Sequence, residues 1–345
     1  MKNQDDHPIA FILTGMHRSG TSLTSSLMES AGINVGERLI GATPANPKGH
    51  FENWDFVDFH VDVLHSQELS SEGWVVQKEI PVLQQLRDKA KLIIEKNSTS
   101  PLWGWKDPRT TLFLNFWREL LPQAYFIFTY RAPWEVIDSL YRRGDKIFSD
   151  NPAYALEIWT HYNQLIIDFY NQFPDRSILL NIETLIADRN CITQLCRDKF
   201  KVELREPTDD IIDKSLMSTA GSDSYRPLVI KQFFPAAIDT FSTLNDLADI
   251  KYYSSVLEGS ITDESLRDHI FCDWINSSKL SETTRQLQQA QIEIEQLHSQ
   301  FQQLESQLQQ SEARLSNSLQ DLNTIQNSKL WKIRNAFIRM RGTVV

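Results

Sequence analysis

The sequence has few cysteines and no long apolar run. Its three cysteines are Cys191, Cys196 and Cys272, and no two of them have the C-x-x-C spacing of a zinc or redox site. We therefore expect neither a disulfide framework nor a metal centre, and a reducing compartment, the cytoplasm, suits the chain best. No stretch approaches the roughly 20 apolar residues of a membrane-spanning helix. The polar segment Met1–His7, followed by a short apolar run, does not resemble a secretory leader.

An excess of basic residues is also missing. The chain has 35 Lys and Arg against 45 Asp and Glu, which gives a formal net charge of −10. This balance argues against nucleic acid as a partner, because proteins that bind nucleic acid usually carry a positive surface. It leaves room for a local basic pocket that binds a small anion. With 345 residues, of which 41% are hydrophobic, the chain is long and apolar enough for a large core.

Short apolar runs alternate with amphipathic helices in the first part of the chain. The runs Ile9–Thr14, Leu102–Trp105, Tyr125–Tyr130 and Ser177–Leu180 have the length and composition of buried strands. This alternation predicts an α/β fold with a parallel sheet flanked by helices, which we assign to residues 1–278. Ligands of such sheets bind at the carboxyl ends of the strands.

The C-terminal part of the chain has a different pattern. Apolar residues recur every seven positions from Leu287 to Leu322, and a second set follows three residues after each of them. This heptad pattern predicts one long helix and a coiled coil over 279–328, through which the chain forms a homo-oligomer. Ser311 and Ser318 belong to the second set and interrupt the apolar stripe, so the sequence does not fix the number of chains in the coiled coil.

The tail, residues 329–345, contains five basic residues and no acidic one. Apolar side chains, Trp331 and Phe337 among them, lie between the basic ones. Such a segment fits peripheral contact with an anionic membrane surface, at about 1 kcal/mol per basic residue. It fits equally well a cationic helix end that complements the helix dipole.

The most specific feature of the sequence is the turn Gly15-Met-His-Arg-Ser-Gly-Thr-Ser22, which lies between the first strand and a helix. The backbone N–H groups of such a turn and the helix N-terminus form an anion site. Gly15 and Gly20 have the spacing of a nucleotide-kinase loop, but Thr21 occupies the position of its essential lysine. The basic residue of the turn is Arg18 instead. We assign these residues to the anion-binding loop: Gly15, His17, Arg18, Ser19, Gly20, Thr21 and Ser22.

A second candidate anion site follows the strand Tyr125–Tyr130. Arg131 comes directly after this strand, and Ser139 lies eight residues later, about two turns into the next helix. The planar guanidinium group suits a phosphate dianion, and the hydroxyl can donate one further hydrogen bond. The alternative role for Arg131 is an ion pair with Glu135 at the start of the helix.

These two motifs together resemble the sulfotransferases that use 3′-phosphoadenosine 5′-phosphosulfate. The 5′-phosphosulfate loop of that family has the pattern [KR]-S-G-T-[ST], which residues 18–22 match. In that family, the 3′-phosphate of the nucleotide is bound by an Arg and a Ser that are spaced like Arg131 and Ser139. The segment Leu180–Leu185 is a weaker match to a strand-end motif of many members. The resemblance covers about residues 8–200 and leaves out the coiled coil and the tail.

The resemblance implies a sheet of the P-loop-like sulfotransferase type and a transfer reaction. A sulfuryl group would move from the nucleotide to a hydroxyl or amine of an acceptor that the sequence does not identify, such as a carbohydrate or glycolipid. Arg18 would hold the 5′-phosphosulfate and stabilise the leaving phosphate, as cations do in phosphoryl transfer. Lys106 and Arg109 would contact the sulfuryl group or the acceptor, or else form an ion-pair cluster with Asp107. The family requires no metal.

An acceptor hydroxyl also needs a general base. Many cytosolic members carry a His at the end of a central strand, but the corresponding segment here, Trp105–Arg109, has none. We therefore predict that the carboxylate of Glu52 is the base, because the tyrosine-sulfating branch has a Glu in this general region. The alternatives are Asp107, His50 and His60. Glu52 could also serve only as a charge at the start of a helix.

Two other functions fit parts of this pattern. A nucleotide or small-molecule kinase would use the same strand, turn and helix, although Thr21 replaces its lysine. A non-catalytic scaffold would bind the nucleotide without turnover and act through its coiled coil.

Overall fold

The computed structural model describes residues 8–41, 49–208, 211, 225–253, 257 and 262–342. The N-terminal segment Met1–His7 and the end of the tail, 343–345, lie outside the described residues. The chain divides into two compact units, Met1–Leu266 and Arg267–Val345, and each is described here by itself.

The first unit is built on a four-stranded parallel sheet with the strand order β2-β1-β3-β4. The four predicted strands are confirmed, each to within one residue. Parallel pairing brings the carboxyl ends of the strands to one edge: Leu13 of β1 pairs with Lys106 of β2, and Thr14 pairs with Phe128 of β3. The strands are β1 (Ile9–Thr14), β2 (Leu102–Lys106), β3 (Tyr125–Tyr130) and β4 (Ser177–Asn181).

Helices connect the strands and cover both faces of the sheet. A 3₁₀ turn over Pro108–Phe113 follows β2 directly. The helices of this unit are α1 (Thr21–Ser30), α2 (Trp54–Ser66), α3 (Gln84–Asn97), α4 (Leu114–Leu120), α5 (Pro133–Arg143), α6 (Lys146–Asp150), α7 (Tyr154–Gln172), α8 (Ile182–Ala187), α9 (Cys191–Leu195), α10 (Arg226–Phe233) and α11 (Pro235–Leu247).

The core consists of two apolar clusters, one on each face of the sheet. Ala10 and Ile12 of β1 belong to one cluster, and Phe11 and Leu13 belong to the other. Side chains that alternate along a strand point to opposite faces, so both faces are buried. This burial is the reason why each strand is a continuous apolar run. The α/β fold with a parallel sheet that we expected is therefore confirmed.

The second unit consists of helix. Helix α12 (Asp263–Asn327) has 65 residues, which corresponds to about 97 Å of length. The side chain of Ser328 then caps α13 (Lys329–Arg341) by accepting a hydrogen bond from the Trp331 N–H group. The long predicted helix is confirmed, and it begins before the first heptad. In the part of the chain that the structure covers, no helix is both long enough and apolar enough to cross a bilayer.

Candidate functional site

The turn between β1 and α1 is packed so closely that two of its positions require glycine. Gly20, the N-cap of α1, has a φ of 92°, and a Cβ atom there would lie 2.3 Å from Ile182 Cδ1. A Cβ atom at Gly15 would lie 2.1 Å from the carbonyl oxygen of Thr129. Arg18 has a φ of 67°, which is uncommon for a residue with a side chain and typical of functional sites. The loop backbone is therefore held in place by its surroundings.

Two polar side chains of this loop are buried without a partner. Ser19 Oγ and His17 Nε2 have no hydrogen bond among the described residues. Buried polar atoms are normally paired, and each one left unpaired costs about 1–3 kcal/mol. The loop therefore carries two polar atoms that could bond to a ligand. Thr21 is buried at the start of α1, and the hydroxyl of Ser22 donates to the carbonyl group of His50 at 3.2 Å.

The loop and the second anion motif are in direct contact, and the region that they share with the end of β2 is called the cleft below. Arg18 Nε donates a hydrogen bond of 2.8 Å to Ser139 Oγ on α5. Burial lowers the pKa of the Arg18 guanidinium, and the positive charges of Arg143, Arg131 and Arg142 lower it further. Four arginines therefore share a partly buried region, and their mutual repulsion would be relieved by an anion.

Arg131 has a carboxylate partner in this cleft. Its Nε atom donates to Glu135 Oε2 at 2.9 Å. The carboxyl group of Glu183 is close enough to both residues for their charges to act on it. Burial raises the pKa of Glu183, and the charge of Glu135 raises it further, whereas the charge of Arg131 lowers it. The ion pair between Arg131 and Glu135, which is one of the two roles that the sequence allows for Arg131, is therefore present. A phosphate that binds Arg131 has to share the guanidinium with Glu135 or replace it.

Glu52 lies at the carboxyl end of β2, paired with a buried lysine. Lys106 is 1% exposed, and its ammonium group donates to Glu52 Oε1 at 2.7 Å. The other carboxylate oxygen, Oε2, lies 4.0 Å from Arg109 Nη1. Because a buried charge without a partner is strongly destabilising, Glu52 and Lys106 stabilise each other.

Asp107 belongs to a buried hydrogen-bond chain. Its Oδ1 atom accepts from the backbone N–H group of Arg109 at 3.0 Å and from the Nη1 of the same residue at 2.9 Å. Its Oδ2 atom is 2.8 Å from His60 Nδ1, and Trp117 Nε1 donates to His60 Nε2 at 2.9 Å. His60 is therefore neutral, with its proton on Nδ1, and donates to Asp107.

The protonation states of Asp107 and His60 follow from burial and from the groups that surround them. Burial by itself would raise the pKa of the Asp107 carboxyl group, but Arg109 and His60 hold that pKa well below its usual range. Burial lowers the pKa of His60. Both nitrogens of His60 and both oxygens of Asp107 are already bonded, which favours a positioning role for the pair. The third alternative base, His50, is half-buried beside Glu52, and burial lowers its pKa.

Arg109 also bonds to the loop between α2 and α3. Arg109 Nε donates to the carbonyl group of Ser71 at 2.8 Å, and the Tyr162 hydroxyl donates to the carbonyl group of Gly73 at 2.9 Å. These two bonds fix the loop between α2 and α3 against the site. The loop places the ring of Trp74 with its centroid 4.6 Å from that of His17.

Sequence reasoning missed Trp74, Tyr162 and Arg143, the residues around His17. The guanidinium group of Arg143 lies 5.0 Å from the centroid of the Trp74 ring, and Tyr162 packs against His17 at 6.1 Å. These residues come from α5, α7 and an irregular loop, and no motif connects them in the sequence. The basic pair at the end of α5 was the one available signal for Arg143.

The fold and the site together define a P-loop-like α/β protein whose loop after β1 and strand ends carry several basic side chains. The sequence profile described as the sulfotransferase family matches residues 8–198. Since this match spans more than half of the chain, the chain belongs to the sulfotransferase family. The family that the motifs resemble is therefore confirmed, and sulfuryl transfer is the activity at the level of the family.

Several solved structures are similar to this chain. A sulfotransferase from Mycobacterium tuberculosis shares 13% identity at a TM-score of 0.45, with 66% of this chain and 77% of that chain covered. The sulfotransferase domain of the Synechococcus olefin synthase shares 21% at 0.39, with 71% and 96% covered. A sulfotransferase from Mycobacterium avium shares 11% at 0.38, with 79% and 76% covered. The comparison with curated proteins gives no match.

Proposed function

We propose that this protein transfers a sulfuryl group from 3′-phosphoadenosine 5′-phosphosulfate to a hydroxyl or amine of an acceptor, with carbohydrates and glycolipids as the first class to test. The observation that carries the proposal is the 2.8 Å hydrogen bond from Arg18 to Ser139. This bond supports the proposal because it joins a residue of the proposed 5′-phosphosulfate loop to a residue of the proposed 3′-phosphate motif, and a ligand with anions at both ends requires the two motifs to lie close together.

The donor set of the cleft fits this nucleotide. The loop from Gly15 to Ser22 offers backbone N–H groups and the buried, unpaired Ser19 hydroxyl. Arg131 and Ser139 would hold the 3′-phosphate, and Arg18 would hold the 5′ end. The nucleotide supplies an activated sulfuryl group with a phosphate as leaving group.

The other end of the cleft would serve the acceptor. Glu52 would accept the proton of the acceptor hydroxyl as the oxygen attacks sulfur. Lys106, which donates to Glu52 at 2.7 Å, would balance the negative charge that develops on the moving group. Asp107 would keep Arg109 in place.

Calorimetric titration with 3′,5′-adenosine bisphosphate, against adenosine 5′-monophosphate and magnesium ATP, tests the donor. Selective binding of the bisphosphate is expected. Incubation with ³⁵S-labelled donor and a cell extract, followed by mass spectrometry for added SO₃, then identifies the acceptor. Selective binding of magnesium ATP would favour a kinase, and bisphosphate binding without any transfer would favour a nucleotide-binding scaffold.

We propose that α12 is the oligomerisation element. Its seam residues Phe301 and Leu308 are 58% and 59% exposed in the single chain, and burial of such side chains contributes about 1.5–3 kcal/mol each. The double variant Phe301→Asp, Leu308→Asp is expected to sediment as a monomer, while the wild type sediments as an oligomer. Gln302→Asp with Gln309→Asp adds the same charge beside the seam and is the control. Equal particle masses for the wild type and the seam variant would contradict the oligomer.

We further propose that the protein is cytoplasmic and that it contacts anionic lipid surfaces through α13. The exposed side chains of Leu330 and Phe337 lie on this helix among its basic residues. Arg334→Ala with Arg341→Ala is expected to weaken binding to phosphatidylserine vesicles about 30-fold. Arg285→Ala with Arg314→Ala removes the same charge from α12 and should leave binding unchanged. Equal binding to neutral vesicles, or no binding by the wild type, would indicate that the charges only complement the helix end.

A further inference from the structure

His17 is a buried polar residue that the fold leaves without a partner. It is 7% exposed, and its Nε2 atom is buried with no hydrogen-bond partner within the described ranges. Its ring packs against Trp74 and Tyr162, with centroid distances of 4.6 and 6.1 Å. Aromatic packing holds the imidazole in place, but Nε2 still requires a partner that the described residues do not supply.

The packing of His17 shows which residues it lies beside. Its ring packs on Trp74, and the loop that carries Trp74 is held by a hydrogen bond from Arg109 Nε to the carbonyl group of Ser71. Arg109 Nη1 lies 4.0 Å from Oε2 of Glu52, the proposed base. His17 therefore lies on the side of the site that contains Arg109.

The neighbouring loop residue has different contacts. Arg18 donates to Ser139, and the charges of Arg143, Arg131 and Arg142 act on it. Arg143 acts on His17 as well, so the two residues are distinguished by their direct contacts, which are Ser139 for Arg18 and the rings of Trp74 and Tyr162 for His17.

We propose that His17 Nε2 donates a hydrogen bond to the sulfuryl group of the bound donor. His17 would then recognise the group that is transferred, whereas Arg131 and Ser139 would recognise the nucleotide that is retained. This inference rests on the donor proposed above.

The protonation state of His17 suits this contact. Burial, together with the charges of Arg109, Arg143 and Lys106, lowers the pKa of His17 well below 6.5, and the opposing effect of Asp107 is smaller. The imidazole is therefore neutral at pH 7 and carries one N–H group. No described residue accepts a hydrogen bond from Nδ1 and so fixes the proton there, and a ligand acceptor would therefore favour the tautomer with the proton on Nε2. A neutral donor binds the sulfuryl oxygens without adding a further cation to the site.

The test compares two nucleotides that differ only in the sulfuryl group. Dissociation constants for 3′-phosphoadenosine 5′-phosphosulfate and for 3′,5′-adenosine bisphosphate are measured on the full-length wild type, His17→Phe and His17→Gln. Phe keeps the ring between Trp74 and Tyr162 but has no donor. Gln keeps an amide N–H group at about the distance of Nε2. Arg131→Ala is the control that should weaken both nucleotides alike.

His17→Phe is expected to weaken the phosphosulfate about 10- to 100-fold and to leave binding of the bisphosphate unchanged, and His17→Gln should recover much of the loss. An equal loss for both nucleotides would overturn the proposal, because His17 would then support the loop as a whole. Unchanged binding of both would overturn it as well. If the wild type binds neither nucleotide, the donor assignment itself fails, and this result differs from both of the others.

Discussion

Replacing Glu52 with glutamine is expected to lower the rate of sulfuryl transfer about 10²–10⁴-fold, with donor binding retained. The amide has the size of the carboxylate, and its carbonyl oxygen can still accept the bond from Lys106 that measures 2.7 Å in the wild type. It has no basic oxygen for the proton of the acceptor. The rate is measured as ³⁵S label that passes from the donor into the extract, with bisphosphate binding measured on the same samples.

Two controls separate loss of a base from loss of structure. Asp58→Asn removes a carboxylate from the exposed side of α2 and should leave the rate unchanged. Thermal unfolding of Glu52→Gln shows whether Lys106 tolerates the loss of its charged partner. A fully active Glu52→Gln variant would move the search for the base to Asp107 and His50.

Replacing Arg131 with alanine is expected to weaken binding of 3′,5′-adenosine bisphosphate by about 2–5 kcal/mol, or roughly 30- to 5,000-fold. The physical reason is that a phosphate dianion in a partly buried cleft loses its bidentate partner. Binding of adenosine 5′-monophosphate, which lacks the 3′-phosphate, should change little. Calorimetric titration of both nucleotides measures the difference.

The matched control is Arg142→Ala, which removes the same charge from the same helix. The side chain of Arg142 is 49% exposed and pairs with Asp138, so we expect a smaller effect. If the wild type binds the nucleotide without a 3′-phosphate as tightly as the bisphosphate, the assignment of Arg131 is wrong. If Arg131→Ala only lowers the unfolding temperature, its ion pair with Glu135 at 2.9 Å is its main role.

Much of the fold could be predicted because parallel strands that are buried on both faces leave a strong local signal. The run Tyr125–Tyr130 is the clearest case, since all of its residues after the first are buried. The tight turn between β1 and α1 was predictable for a similar reason. Its glycines are required by contacts with Thr129 and Ile182, and this requirement appears in the sequence as a fixed spacing.

The partners of each candidate side chain were not predictable. The sequence left two roles open for Arg131, and the structure shows the ion pair with Glu135. It suggested His60 as a possible base, but His60 is bonded to Asp107 and Trp117 in the core. These contacts join residues 47 and 57 positions apart, and no periodicity or spacing encodes such a pair.

The sequence by itself determined the class of fold, the position of the glycine turn between β1 and α1 and the long C-terminal helix, because each depends on residues that are close together in the chain. Only the tertiary structure decided that Arg18 bonds to Ser139 and that Trp74 and Tyr162 enclose His17. The physical reason is that parallel pairing brings strand ends from distant parts of the chain to one edge of the sheet. The side chains that meet there are selected by packing, which acts in space and leaves no regular interval in the sequence.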